Sequence, residues 1–232
     1  MYERLTTEFP DILFESCASG GMRFDPGMLY YAPQTWTSDD TDAVERLKIQ
    51  YGTSLVYPVS SMGAHVSAVP NHQVGRSPSM RTRAEVAYFG GAFGYELDVT
   101  TLPNEEKALM RDQITFFKEH RELLQFGSFY RLNSPFEKDE NRTSWMMVSD
   151  DKTKAIAADY QVLSRPNAPL KRLVLEGLDE EASYRIEGYE GIYNGDELME
   201  IGISLDHQQF RELGEHKLPG DFYSRLFVLQ KI

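Results

Sequence analysis

The stretch Asp11–Ser67, DILFESCASGGMRFDPGMLYYAPQTWTSDDTDAVERLKIQYGTSLVYPVSSMGAHVS, decides the fold. It opens on DILFES, whose Ile12, Leu13 and Phe14 read as a buried strand. A glycine-rich loop, Ser19 to Phe24, follows. LYYAPQTWTS, residues 29–38, is aromatic and strand-like. Asp42 with Glu45 three residues on forms a capping box, and VERLKIQYG then reads as a helix ended by Gly52. SLVYPVSSMGAHVS, residues 54–67, is a third strand.

Further along, AEVAYFGGAFGYELD, residues 84–98, reads as a fourth strand. Asn104 then caps a charged amphipathic helix, EEKALMRDQITFFKEHRELLQF, ended by Gly127. Strand, loop and helix in alternation point to parallel βα units. VPNHQVGRSPSMRTR, residues 69–83, is too long for a plain turn and suits an active-site loop. Upstream, Tyr2 to Glu8 resembles the end of a helix that runs at once into DILFES. So abrupt a start suggests a chain that begins within a larger fold.

The second half changes character. Short alternating runs, SWMMVS, KAIAADYQVL, KRLVLEGL, ASYRIEGY, GIYNG, ELMEIGISL and YSRLFVLQKI, are separated by turn residues. Such spacing implies an antiparallel β-sandwich. Asn194-Gly195 suits a tight primed hairpin turn. The boundary falls near residues 127–135, so that residues 1–130 form an α/β unit and 131–232 a β-sandwich domain.

Composition narrows the function. Formal net charge is −12 over 232 residues, which argues against nucleic acid, since phosphate neutralisation needs clustered Lys and Arg. A single cysteine, Cys17, excludes an intrachain disulfide and any Cys-based zinc site, and fits a reducing cytoplasm. No basic region followed by an apolar run opens the chain, and no apolar stretch approaches the ~20 residues of a membrane span. The five histidines show no metal-ligand spacing. Asp39-Asp40-Thr41-Asp42 lacks the glycine and glutamate of a calcium loop. Gly90-Gly91-Ala92-Phe93-Gly94 lies in strand-like sequence rather than at a helix start, so it is no dinucleotide loop. Neither metal nor cofactor is expected.

Glu15–His65, with its Cys-Ala-Ser-Gly-Gly and Trp-Thr-Ser-Asp-Asp-Thr-Asp runs at this spacing, resembles the core motif region of melibiase-type α-galactosidases, glycoside hydrolase family thirty-six. VAYFGGAFGYELD is similar to a later barrel strand of that family, and the LVLEGLDEEASYRIEGYEGIYNGDELMEIGISL run to its C-terminal β-domain. The resemblance implies the second half of a (β/α)₈ TIM barrel followed by a C-terminal antiparallel β-sandwich. It also implies a retaining glycosidase whose partner is a galactoside oligosaccharide of the melibiose or raffinose type.

That chemistry needs two carboxylates, one to attack the anomeric carbon and one to protonate the leaving oxygen. By the motif, Asp39 is the acid/base, and Cys17, Ser19, Gly20 and Trp36 line the galactose pocket. The family carries its nucleophile in a Lys-x-Asp motif on an earlier strand, and none precedes Cys17 here. The resemblance therefore implies a chain inactive alone, one that pairs with a complementing N-terminal polypeptide or self-associates. Glycine often stands in the family where Ser19 and Met22 stand here. Arg23 and Asp25 are read as holding the loop.

Each residue has a plainer reading. Asp39 could cap the next helix, although Asp42 already suits that role. Trp36 could be core packing, and Cys17 a buried small hydrophobe. Arg76, Arg81 and Arg83 could be solvated and salt-bridged, or could order the loop over the barrel mouth. The rival function is an inactive fragment or a stand-alone carbohydrate-binding or structural module, which galactose would not stabilise against heat in the first case.

Overall fold

The computed structural model describes residues 1–137, 139–205 and 220–232. The chain divides into two compact units, Met1–Glu119 and His120–Ile232. The first holds a four-stranded parallel sheet in the order β1 (Glu15–Ser16), β2 (Gln34–Trp36), β3 (Met62–Ser67) and β4 (Ala92–Glu96). Strands in chain order, joined by helical crossovers, are the arrangement of part of a (β/α)₈ barrel rather than of a doubly wound sheet.

The helices are α1 (Tyr2–Glu8), α2 (Pro26–Tyr31), α3 (Ala43–Ser54), α4 (Met80–Ala87) and α5 (Asn104–Phe126), within which the division between the units falls. On β3, Met62, Ala64 and Val66 are fully buried. α3 and α4 meet over that side. Gln50 Nε2 donates to the Val86 carbonyl at 2.9 Å, and a Cβ on Gly90 would overlap that of Ala64. Phe93 packs on Tyr88 and Phe117, and Tyr95 donates to Gln113 Oε1 at 2.8 Å. The alternating residues Gly63, His65 and Ser67 face the other way.

Several local expectations need correction. Ile12 and Leu13 are exposed, and only Glu15 and Ser16 enter the sheet. Among the described residues β1 pairs with β2 alone, and of the apolar run before it only Phe14 is half-buried. Leu29, Tyr30 and Tyr31 are helical, because Asp25 accepts from the Met28 amide at 2.9 Å and Pro26 occupies the first turn, both strong helix-start signals. α3 runs past Gly52 to Ser54. Residues 84–87 belong to α4, whose cap is Ser79, so the fourth strand shrinks to Ala92–Glu96.

The second unit is built on a six-stranded antiparallel sheet. Its order is β10 (Tyr193–Asn194), β9 (Ser183–Ile186), β12 (Tyr223–Lys231), β7 (Lys154–Gln161), β6 (Arg142–Val148) and β5 (Ser128–Asn133). Met146, Val148, Ala155, Ala157, Phe227 and Leu229 form the apolar face of this sheet. Against them pack a two-stranded sheet, β8 (Arg172–Leu173) with β11 (Ile203–Ser204), and the short helix α6 (Gly195–Glu200). Asn194-Gly195 is therefore no hairpin turn. Asn194 has φ −78° and starts α6, and a Cβ on Gly195 would lie 1.9 Å from the Asp179 carbonyl oxygen. Close approach of backbone, not positive φ, is what calls for glycine there. Among the described residues, no helix is long and apolar enough to cross a membrane.

Candidate active site

The segment between β2 and α3 carries Asp39, Asp40, Thr41 and Asp42, and the structure gives three of them local work. Asp42 accepts from the amides of Val44 and Glu45, both at 3.1 Å, and so caps α3. The reciprocal half of the capping box is absent. The Asp42 amide goes to Asp40 Oδ1 at 3.0 Å, while the Glu45 carboxylate accepts from Arg76. Thr41 Oγ1 accepts from Asn71 Nδ2 at 3.2 Å. Asp39 alone is exposed with a carboxylate that meets no hydrogen-bond donor among the described residues.

Asp39 stands three residues beyond the C-terminal end of β2, and Cys17 directly beyond that of β1. The two loops are pressed together. A Cβ on Gly20, where φ is +72°, would lie 2.6 Å from Ser38 Cα and 2.8 Å from the Asp39 nitrogen. One on Gly21 would lie 2.6 Å from the Thr37 carbonyl oxygen. Cys17 and Ser19 are exposed and Gly20 is buried. Ser19 has φ +48°, a backbone conformation that glycine takes at less cost. The cysteine is thus not the buried hydrophobe of its plainer reading.

Trp36 is buried, with 8% of its surface exposed, and leans along the sheet. Its ring lies 4.7 Å from that of His65, and a Cβ on Gly63 would come within 3.0 Å of Trp36 Cε3. His65 in turn lies over Gly94, and its Nδ1 is 3.9 Å from Glu96 Oε2. At the other edge, Gln34 Nε2 donates to Glu15 Oε2 at 2.7 Å. Glu15, Gln34, Trp36, His65 and Glu96 therefore share the sheet face opposite the helices. Burial lowers the pKa of the His65 imidazole, with Glu96 opposing the shift and Arg46 adding to it.

The loop after β3 is tied to the same place. Ser67 Oγ donates to the Thr41 carbonyl at 2.8 Å, and Gln73 Nε2 to the Asp39 carbonyl at 3.4 Å. Arg76 Nη1 reaches Asp42 at 2.7 Å and Glu45 at 2.9 Å. Burial pulls the Arg76 pKa down, but the bonds to Glu45 and Asp42 outweigh it and leave the pKa raised. Arg81 pairs with Glu85 at 2.8 Å, and Arg83 donates to the Pro78 carbonyl at 3.2 Å. Arg76 and Arg81 are salt-bridged, as the first reading has it, and Arg76 and Arg83 also tie the loop down.

Replacing Asp42 by Ala removes the cap and leaves Arg76 short of a partner. The expected loss is about 1–3 kcal/mol of stability in thermal unfolding, with Asp42→Asn losing less because Asn still caps.

His65 falls within the third strand expected from the sequence and lies on β3, but neither it nor Glu15, Gln34, Arg46 and Glu96 was singled out for the site. The available signal was the alternation in MGAHVS, in which Gly63, His65 and Ser67 interleave with Met62, Ala64 and Val66.

Carboxylates and an aromatic–imidazole pair thus gather on and beyond the strands of a partial parallel barrel, the side on which barrel enzymes place their reacting groups. Comparison with known proteins agrees. The Melibiase family matches residues 1–127, and the Glycosyl hydrolase family 36 C-terminal domain matches residues 142–229. This chain belongs to the melibiase family, glycoside hydrolase family thirty-six.

Alpha-galactosidase AgaA of Geobacillus stearothermophilus is 61% identical over 230 residues, covering 99% of this chain and 30% of that protein. Alpha-galactosidase 1 of Pediococcus pentosaceus is 48% identical over 203 residues, covering 88% of this chain and 27% of its own length. A crystal structure of a doubly substituted AgaA in complex with raffinose matches with a TM-score of 0.92 and 55% identity, over 100% of this chain and 30% of that one. An α-galactosidase structure from Lactobacillus brevis also matches with a TM-score of 0.92, at 52% identity and the same coverage. The chain thus spans about 30% of the length of these relatives.

Proposed function

We propose that this chain supplies the acid/base half of a retaining α-galactosidase site, with Asp39 as the acid/base carboxylate. The observation that carries the reading is that, of the residues from Asp39 to Asp42, only the Asp39 side chain has no structural partner among the described residues. An exposed carboxylate, beyond a strand end and held by its backbone rather than by its side chain, is free to exchange a proton with a substrate.

In this reading the Asp39 carboxylic acid protonates the glycosidic oxygen as the bond from that oxygen to C1 of galactose breaks. A second carboxylate, assigned to no residue of this chain, attacks C1 from the opposite side. Asp39, now ionised, then takes a proton from the water that displaces that carboxylate. In a retaining enzyme the two carboxyl groups stand about 5–5.5 Å apart. Cys17, Ser19 and Gly20 form the wall of the galactose pocket, and Trp36 its floor, with the ring backed by His65. Raffinose-type oligosaccharides are the proposed substrates, in line with the complex of the Geobacillus relative.

A complete family thirty-six enzyme carrying this segment should release galactose from raffinose. Free galactose at about 100 times its Kd should stabilise it against unfolding by ~2.7 kcal/mol. An enzyme that releases no galactose and gains no stability from it is not explained by this reading.

A further inference from the structure

Arg46 is an unusual residue for its place. It projects from the first turn of α3, yet only 2% of its surface is exposed. Its Nη1 donates to Thr37 Oγ1, and its guanidinium carbon lies 4.3 Å from the centre of the Trp36 ring. Nε and Nη2 meet no acceptor among the described residues. Burial holds its pKa down at about 10, with Asp40 and Glu96 opposing the shift. Burying a charge without full pairing is costly, and an apolar side chain of similar volume would fill the space at lower cost. Packing alone therefore gives no reason for an arginine here.

What a guanidinium offers, and an aliphatic chain does not, is a flat face and a directed N–H in one rigid plane. Arg46 uses both on consecutive residues, the face on Trp36 and the N–H on Thr37. Thr37 Oγ1 passes the bond on to the Gly63 carbonyl at 3.5 Å, which ties the end of β2 to β3. From the other side, Gly20 and Gly21 press on the backbone of Thr37 to Asp39, and Gln73 reaches the Asp39 carbonyl at 3.4 Å. The stretch from Trp36 to Asp39 is clamped between these groups, and Arg46 holds it through two consecutive side chains, those of Trp36 and Thr37.

We infer that Arg46 is the positioning residue of the acid/base loop: it sets where the Asp39 carboxyl stands relative to the leaving oxygen without touching the substrate. The inference rests on the proposed role of Asp39. It carries a specific consequence, because misplacing a proton donor harms only those substrates whose leaving group needs a proton. The disaccharide released from raffinose leaves as an alkoxide unless protonated, whereas the aglycone of an activated nitrophenyl galactoside leaves as a stable phenolate. The quantity to compare is kcat/KM, which reports the step in which the leaving group departs.

The test is Arg46→Lys in a complete family thirty-six enzyme carrying this segment. Lysine keeps the charge but loses the planar face and the directed bond. The expected result is a fall in kcat/KM for raffinose on the order of 10- to 100-fold, the scale of a displacement near 1 Å, and at least about threefold greater than the fall for the nitrophenyl galactoside, which registers only the disturbance of Trp36 in the pocket. Thr37→Val, which removes the acceptor and leaves Arg46 in place, should show the same selectivity at smaller amplitude and covers the case in which the arginine variant fails to fold. Equal losses on both substrates, or none, in the folded variants would overturn the inference. Asp39→Ala run alongside keeps the two claims apart. If it shows the leaving-group selectivity and Arg46→Lys does not, only the positioning role falls; if Asp39→Ala shows none, the acid/base reading falls first.

Discussion

Asp39→Ala in a complete family thirty-six enzyme should lower kcat/KM for raffinose by roughly 10²- to 10⁴-fold, the usual worth of general acid catalysis. An activated nitrophenyl galactoside, which departs without a proton, should lose about tenfold or less at the same step. The substitution should leave thermal stability almost unchanged, because no hydrogen bond among the described residues ends on the Asp39 carboxylate. That combination separates a catalyst from a helix cap. Asp42, which does cap α3, should show the reverse pattern when replaced, with stability lost and leaving-group preference unaltered. Steady-state kinetics on the two substrates, paired with a melting curve, reads both.

Gly20→Ala should be strongly damaging although Gly20 takes no part in the chemistry. The added carbon would sit 2.6 Å from Ser38 Cα and 2.8 Å from the Asp39 nitrogen, both backbone atoms with no side-chain rotation to relieve the overlap. An alanine at φ +72° also carries about 1–2 kcal/mol of left-handed strain. Either the Cys17–Gly21 loop or the Asp39 segment must then move. A shift on the 1 Å scale is expected to reduce turnover on the order of 10²-fold. Here both substrates should suffer, since the loop that would move also forms the proposed galactose pocket. Equal losses on raffinose and the nitrophenyl galactoside, with a lower melting temperature, would distinguish this variant from Asp39→Ala. A variant of full activity would mean that the two loops are not rigidly in contact.

How far the sequence could be read depends on the kind of signal. Local hydrogen-bonding chemistry was legible. Asp42 followed by an apolar periodic run marked the start of α3, because capping depends on neighbours in the chain, whereas Asn104 is the first residue within α5 rather than its cap. The alternation of βα units and the change to short strands were legible for the same reason. Harder were stretches in which composition and capping disagree. Leu29, Tyr30 and Tyr31 have β-favouring rings, but Asp25 and Pro26 start a helix ahead of them, and the local cap won. Asn194-Gly195 has hairpin composition, yet its glycine answers to the distant Asp179 carbonyl.

The shape of the candidate site was least legible. Arg46 in VERLKIQYG reads as one more charge on a solvated helix face, and only the folded chain brings it onto Trp36 and Thr37. His65 and Glu96 come together through the pairing of β3 with β4, residues far apart in the chain. The motifs that mark Cys17, Ser19, Gly20, Trp36 and Asp39 indicate where chemistry is expected, but the contact between their loops depends on two glycines whose importance lies in what they lack. Bare spacing shows nothing of that.

The most direct measurement of the central claim is the product formed by the Asp39→Ala enzyme from a nitrophenyl α-galactoside in the presence of azide. With the acid/base gone, the galactosyl–enzyme ester forms but awaits a nucleophile that needs no proton removed. Azide attacks C1 on the face opposite the ester, the ester carboxylate departs, and the product is α-galactosyl azide. α-Galactosyl azide is the expected product, formed at a rate that rises with azide concentration. β-Galactosyl azide would mean that Asp39 is itself the attacking carboxylate, and an unchanged yield of free galactose with no azide adduct would mean that it takes no part in the chemistry.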